Sequence, residues 1–331
     1  MIISKTPYRI SFFGGGTDYP FWYKKNEGLI IGTSIDKYCY ITLRSLPPFF
    51  KDKHRLVWSK IETVSKFYQI KHPAIRECLK LYNIKKGVEI HHVGDLPARS
   101  GIGSSSSFAV GLLSALNCYT NQKVSKAKLA KQAIDFEQNI LKEVVGVQDQ
   151  IFASHGGFLS IKIKKNSDFL ISDLIKKNDK LKELENNMTL LYTGKSRFAS
   201  NIAKNQKNNH KKKISSYSTL YQLALEAKNI IEKKYCVKDL GLIMNESWKI
   251  KKTLSDKVSN IFINNIYDVA ESCGVYGGKI LGAGGGGFLL FLTNKKSKKK
   301  LKSKLKNFLE VPVKFDNEGS NIIFNSGNEY I

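Results

Sequence analysis

The chain has 331 residues, 42% of them hydrophobic, with 54 Lys and Arg against 28 Asp and Glu and a formal net charge of +26. That length supports a sizeable core and favours two smaller lobes sharing a cleft over one large domain. Only six of the basic residues are Arg (9, 44, 55, 76, 99 and 197), whereas a nucleic-acid reader enriches Arg for bidentate contacts; the lysine excess reads as compositional bias, in a field that still attracts anionic substrates.

The five cysteines, at 39, 78, 118, 236 and 273, form no CxxC pair and no metal-ligand spacing, as expected of free thiols in a reducing cytoplasm. No apolar run approaches membrane-spanning length and the N-terminus lacks a signal-peptide core, so a cytoplasmic protein with no membrane partner is expected.

In chain order, the first feature is the turn GGGTDYP at 14–20, followed by strands at 29–35, 38–43 and 88–92. The segment PARSGIGSSSS, residues 97–107, leads into a helix over Ser104–Tyr119. A second helix is expected over 125–145, with Ser125 as its N-cap. Then come GVQDQ at 146–150 and a strand at 157–163. The polar stretch 164–187 reads as a surface connection, and a strand at 188–193 runs into GKSRFAS at 194–200. A weakly patterned helical region covers 200–234, with further helices at 240–254 and Ile261–Ser272. A glycine-centred hairpin spans 278–292 and contains LGAGGGGF, before a helix at 297–309 and a strand at 322–324. Two lysine-dense stretches, 204–213 and 295–306, read as solvated faces in preference to anion-binding tails. Strands and helices interspersed without strict alternation indicate an α+β protein.

Several of these features carry chemistry. The serine loop follows a strand and opens a helix, so free backbone N–H groups of Gly101, Ile102, Gly103, Ser104, Ser105 and Ser106 face an anion such as phosphate. It lacks the lysine of a Walker loop, and a serine-capped helix after a flexible turn is the competing explanation. In the turn at 14–20, Gly15, Gly16 and Thr17 precede Asp18, which can accept hydrogen bonds from sugar hydroxyls; an ordinary turn Asp is the alternative. The run Gly282, Ala283, Gly284, Gly285, Gly286 is entropically costly unless a close approach requires it. Glu137 falls roughly 10° from the centre of the apolar stripe of its helix, so it faces inward and must be paired or bind a cation. Asp149 stands just beyond. Lys195 and Arg197 suit a sugar phosphate as well as they suit a solvated loop. Val57, Trp58 and Ser59 are candidates for a base pocket.

Together these segments resemble the GHMP kinases, whose three motifs appear in family order at 7–19, 96–107 and 281–288. The narrower resemblance, through GGGTDYP, PARSGIGSSSSF, GVQDQ, YTGKSRFAS and GGKILGAGGGGF, is to the sugar 1-kinases, and within them to kinases of heptose 7-phosphate. The resemblance implies a two-lobed fold, with a ribosomal protein S5 domain 2-like lobe at 1–170 and a ferredoxin-like lobe at 171–331. It implies a phosphotransferase that uses ATP and Mg²⁺ to phosphorylate the anomeric C1 hydroxyl of D-glycero-D-manno-heptose 7-phosphate. The 1,7-bisphosphate would feed nucleotide-activated heptose for surface polysaccharide. On this basis residues 101–106 wrap the ATP phosphates, and Ser105 and Glu137 hold Mg²⁺. Asp149 orients or deprotonates the hydroxyl, Arg9 lies near the transferred group, and Gly15, Gly16, Thr17 and Asp18 bind sugar. The 282–286 loop supports the site. Ala98, Arg99 and Ser100 depart from the usual, more Pro/Gly-rich approach to Gly101. A fucose- or galactose-type 1-kinase is the same-class alternative, and a basic nucleic-acid-binding protein the alternative of another class. Nucleic acid and membrane partners are not expected, and a homodimer is left open.

Overall fold

The structure, a computed structural model, describes residues 1–175, 178–195 and 199–327. Two sheets organise it. The first has nine strands: β1 (Ile2–Phe13), β2 (Gly28–Ser45), β3 (His54–Val57), β4 (Ile61–Val64), β5 (Val88–Gly94), β6 (Phe158–Ile163), β7 (Phe169–Asp173) and two short strands from the C-terminal end of the chain. β2 is long enough to pair with β1 along its whole length and, on its other edge, with β6 at residues 28–33 and β5 at 39–45. β1 shifts register between Pro7 and Tyr8, where proline removes a ladder donor.

The helices that follow are α1 (Pro20–Tyr23), α2 (Pro73–Leu81), α3 (Ser104–Tyr119), α4 (Lys126–Asp135) and α5 (Gln148–His155). α3 lies on β1 through small polar residues. Ser4 Oγ donates to Gly111 O at 2.9 Å and Ser107 Oγ to Pro7 O at 2.9 Å. A Cβ on Gly111 would stand 2.9 Å from Thr6 Oγ1, so only glycine permits this approach. The N-terminus of α3 is thereby seated above Arg9.

Then come α6 (Asn178–Asn186), β8 (Met188–Tyr192), α7 (Ala199–Asn209), a 3-10 turn at His210–Lys213, α8 (Ile214–Lys233), α9 (Val237–Thr253) and α10 (Ile261–Ser272). They lead to β9 (Gly277–Ile280), β10 (Phe288–Leu292), α11 (Lys295–Lys304) and β11 (Leu309–Glu310). The second sheet runs β11-β8-β10-β9, all antiparallel. With helices between β8 and β9 and between β10 and β11, this is the β-α-β-β-α-β order of a ferredoxin-like lobe. β9 and β10 are buried throughout, and a Cβ on Gly277 would strike the Gly241 carbonyl of α9.

The boundary expected at 170/171 falls inside β7, and β12 (Phe315–Asp316) and β13 (Asn321–Asn325) return to pair with β2 and β1. The first sheet therefore takes strands from both ends of the chain.

Other expectations are corrected. The helix expected over 125–145 ends at Asp135 and passes into a π-helical turn, Phe136–Ile140, in which Leu141 N bonds Phe136 O at 2.9 Å. Stretch 164–187 is no mere connection, since β7 and α6 lie in it. Of the two lysine-rich stretches, α11 buries only Ser297 and Leu301 and exposes all of its lysines but the half-buried Lys298, as a solvated face does.

Candidate active site

Gly103 is the N-cap of α3 and adopts φ +76°, with no side chain capping the helix. The first-turn N–H groups are therefore available to an anion, and the helix dipole adds to the pull. The loop before it stands back to back with the glycine loop: a Cβ on Gly101 would lie 2.5 Å from Leu281 O, and one on Gly282 would lie 2.7 Å from Gly101 Cα. Phe288 N donates to Ser100 O at 3.1 Å. On the far side, Gly285 N bonds Val258 O at 2.7 Å and Gly287 N bonds Lys195 O at 2.8 Å. The glycines thus let two loops share one wall. Arg99 adopts φ +61°, a region that favours glycine, which accounts for the unusual residue before the loop only at a conformational cost.

Beneath this loop, Arg9 and Asp149 meet. Arg9 Nε donates to Asp149 Oδ1 at 2.8 Å and Nη2 to Oδ2 at 2.8 Å, while Nη1 donates to Gly101 O at 2.6 Å. Arg9 is buried and comes from β1; Asp149 comes from the first turn of α5. The two-point pairing fixes the plane of the carboxylate. A Cβ on Gly103 would be 3.2 Å from Arg9 Cγ and 3.3 Å from Asp149 Oδ2, so the N-terminal end of α3 and the carboxylate are in immediate contact.

Glu137 is 1% exposed. Burial, with the charges of Glu143 and Asp149 nearby, pushes its carboxyl up to about 8, against hydrogen bonds from Ser106 and Gln150. Ser106 Oγ donates to Oε2 at 2.7 Å, whereas Ser105 Oγ stands 3.5 Å from Oε1. The π-helical turn carries Glu137 inward toward these serines, and π turns recur where a helix serves a site. A buried carboxylate whose partners among the described residues are hydroxyls and an amide suits a divalent ion, and Ser105 Oγ, the more distant of its two serine partners at 3.5 Å, can turn to the same ion. Among the described residues no three His, Cys, Asp or Glu gather as a metal cage.

Asp18 is also buried. Gly16 N donates to its Oδ1 at 3.1 Å and Gln148 Nε2 to Oδ2 at 2.9 Å. Burial and the Asp149 charge raise its carboxyl above the usual range. A Cβ on Gly146 would strike Asp18 Oδ2, so the GGGTD and GVQDQ segments interlock. Thr17 Oγ1 closes the turn onto Gly14 O at 2.8 Å, and the nearest side-chain atom to a Cβ on Gly15 would be Ser11 Oγ at 3.6 Å. Beside the turn stand Tyr19, Phe21, Trp22 and, from α8, Tyr217. Tyr19 and Phe21 stack at 5.1 Å, and Phe21 meets Tyr217 edge-on at 5.8 Å.

Two residues here escaped the sequence reading. Tyr217 is 1% exposed with its hydroxyl unpartnered, and a Cβ on Gly16 would be 3.1 Å from its ring. Lys279, on β9, is 4% exposed and donates to Phe12 O at 2.9 Å, joining the second sheet to β1. Burial, reinforced by Arg9 and opposed by Asp18, depresses its ammonium to about 7. Between that value and the 10.5 of an exposed lysine, the folded chain binds one proton fewer than the unfolded chain, so stability rises with pH across the window. Replacing Lys279 with Met should therefore raise the melting temperature at pH 6 relative to the parent, with the gain shrinking toward pH 10. A pH-independent difference in a melting series would contradict a buried, proton-shedding lysine.

The structure thus brings together Arg9, Asp149 and the 101–103 loop; Ser105, Ser106 and Glu137; and Gly15, Gly16, Thr17 and Asp18. Gly282, Ala283, Gly284, Gly285 and Gly286 back the serine loop. Lys195 sits beside that glycine loop, its ammonium 4.3 Å over the Phe262 ring, and Arg197 lies outside the described residues. Trp58 meets His72 edge-on at 4.8 Å, and Phe108 contacts His72 and His92 at 5.0 Å each, one turn after the serines.

A helix N-terminus open to an anion and lying against an arginine-clamped carboxylate suits phosphoryl transfer to an alcohol; the chain belongs to the GHMP kinase family, phosphotransferases that act on an alcohol group. The family descriptions GHMP kinases N terminal domain and GHMP kinases C terminal match residues 66–157 and 233–311. It is similar to a D-glycero-alpha-D-manno-heptose 7-phosphate kinase of Campylobacter jejuni, 29% identical over 312 residues, covering 88% of this chain and 89% of that protein. Among solved structures it is similar to a D-glycero-D-manno-heptose 1-phosphate kinase from Bacteroides thetaiotaomicron, with TM-score 0.80, 22% identity and coverage of 99% and 100%. A putative sugar kinase from Campylobacter jejuni gives TM-score 0.73 at 26% identity, covering 97% of each chain. The chain is thus a kinase of this family, a class for which ATP is the phosphoryl donor. No helix among the described residues is long and apolar enough to cross a membrane.

Proposed function

We propose that this protein transfers the γ-phosphoryl group of ATP to the anomeric C1 hydroxyl of D-glycero-D-manno-heptose 7-phosphate, giving the 1,7-bisphosphate. The observation that carries this is the Arg9–Asp149 pair in contact with Gly103 at the N-terminus of α3. In this account the N–H groups of residues 101–106 hold the ATP phosphates, and Arg9 offers its charge to the group in transfer. The Asp149 carboxylate, fixed in orientation by Arg9, accepts the sugar hydroxyl hydrogen and aligns the oxygen for attack. Phosphoryl transfer needs such positioning and charge neutralisation more than covalent help. Ser105 and Glu137 would hold Mg²⁺, which when bound neutralises the phosphate charge. Asp18, with Gly15, Gly16 and Thr17, holds the sugar, and the aromatic group Trp58, His72, His92 and Phe108 receives adenine. Burial lowers His72 to about 4 and depresses His92 as well, leaving neutral rings suited to a flat purine.

The heptose assignment is supported by the 29% identical relative and by the buried carboxylate beside the sugar turn. The product would supply nucleotide-activated heptose for surface polysaccharide, made in the cytoplasm. A coupled ADP-release assay across heptose 7-phosphate, heptose, fucose, galactose and mevalonate should show kcat/KM at least tenfold higher for heptose 7-phosphate than for any other. Preference for fucose or galactose would transfer the assignment to a hexose-type 1-kinase.

A further inference from the structure

If the substrate carries a phosphate at the end remote from C1, something must hold it. Two rings mark a direction outward from the catalytic pair. Tyr19 directly follows Asp18, whose carboxylate accepts from Gln148 Nε2 at 2.9 Å, and Gln148 is the residue before Asp149. Tyr19 stacks on Phe21 with centroids 5.1 Å apart, and Phe21 in turn meets the imidazole of His210 at 5.0 Å. A heptose pyranose spans roughly 7–9 Å from C1 to a terminal phosphorus, at about 1.5 Å per bond, so the two ring steps are of the right reach.

At the end of this path lies the 3-10 turn His210–Lys213, with four potentially cationic residues in succession. His210 and Lys213 are half-buried while Lys211 and Lys212 are exposed. No acidic residue occurs anywhere from 186 to 225, so no nearby carboxylate competes for these cations within that stretch. One helical turn beyond Lys213 is Tyr217, buried to 1% with its ring against Gly16 and its hydroxyl without a partner among the described residues. A buried hydroxyl without a partner costs stability and marks a position where a polar ligand completes the structure. Lys195 is placed differently, over Phe262 beside the glycine loop that backs the ATP-phosphate segment.

We propose that the turn His210–Lys213 is the subsite for the sugar's terminal phosphate, with Phe21 spacing it from the anomeric centre and the Tyr217 hydroxyl meeting the sugar between them. This rests on the sugar-phosphate kinase assignment above. The ligand class is a phosphomonoester dianion on a polyhydroxylated chain, and the lysines recognise it as point charges without rigid geometry. The subsite makes the protein selective for phosphorylated sugars by charge, so its contribution weakens with salt.

The test compares the parent with Lys211→Ala/Lys212→Ala/Lys213→Ala and with Tyr217→Phe, all checked for an unchanged melting transition. The readout is kcat/KM for heptose 7-phosphate divided by that for heptose, together with inhibition by inorganic phosphate against the sugar. The expected result is a ratio at least tenfold lower in the triple variant, with loss of competitive inhibition by inorganic phosphate. Tyr217→Phe should raise KM for both sugars together and leave the ratio in place. Lys211→Arg/Lys212→Arg/Lys213→Arg should restore most of the ratio. If the parent prefers heptose 7-phosphate but the triple alanine variant keeps that preference, the subsite is elsewhere and the proposal fails alone. A parent that does not distinguish the two sugars overturns the substrate assignment and this subsite with it.

Discussion

Asp149→Asn should lower kcat by about 10³-fold, within the 10²–10⁴ range that a positioned acid–base group supplies, while KM for ATP changes little. Asn keeps the size of the side chain, but its amide presents an NH₂ where Asp149 now accepts from Arg9. One of the two 2.8 Å bonds must then be lost. The Arg9 guanidinium, buried at 4% exposure, would retain Gly101 O and one amide oxygen. Removing one partner of such a buried pair is destabilising by about 3–5 kcal/mol in general, and the 25% exposure of the Asp149 side chain puts this case at or below the low end. The matching expectation concerns the pair as a unit: Arg9→Gln combined with Asp149→Asn should cost no more in kcat than the worse single change. Multiplicative losses in steady-state kinetics would mean that the two side chains act separately and that the clamp is incidental.

Glu137→Gln should separate activity from stability. Loss of the carboxylate removes the residue assigned to Mg²⁺, and kcat/KM for ATP should fall at least 10²-fold. Stability should move the other way as pH rises. The carboxyl is held at about 8 in the folded chain against 4.5 for an ordinary glutamate, so between these values the folded state carries one proton more than the unfolded state. Stability of the parent is therefore eroded as pH climbs through that window, and glutamine, which does not titrate, escapes the erosion. The melting temperature of Glu137→Gln minus that of the parent should grow from pH 5 to pH 8 and then level off. A difference that stays flat would show that Glu137 is ionised throughout and has a cation or donor set already sufficient for its charge.

The site was legible in the sequence where chemistry is concentrated in short runs. The serine loop and the 282–286 glycines stand out through glycine needs and Glu137 through a charge on an apolar stripe, whereas Asp149 stands out only through the family resemblance of GVQDQ. Helix α3 was also legible to its ends, because a glycine pair and a serine run precede a largely apolar stretch. The fold was harder to see where burial is two-sided. β1 alternates only over its first residues and is then buried on both faces, so it shows no period of two. The π turn at Phe136–Ile140 keeps the apolar spacing of an ordinary helix, which hid the break that aims Glu137. Lys279 and Tyr217 were lost for a different reason. One is a single lysine in a lysine-rich chain and the other a single tyrosine in a weakly patterned helix, and only the packing shows that both are buried. The choice between Ser105 and Ser106 as the partner of Glu137 likewise depends on tenths of an ångström that spacing does not carry.

The most direct measurement of the central claim is ³¹P NMR of the reaction of ATP with heptose 7-phosphate in the presence of Mg²⁺. Transfer to the anomeric oxygen predicts one new glycosyl phosphate resonance, coupled to the anomeric proton, growing in step with ADP while the 7-phosphate signal persists. ADP formation without that resonance, or a new phosphate ester coupled to protons of another carbon, would contradict it.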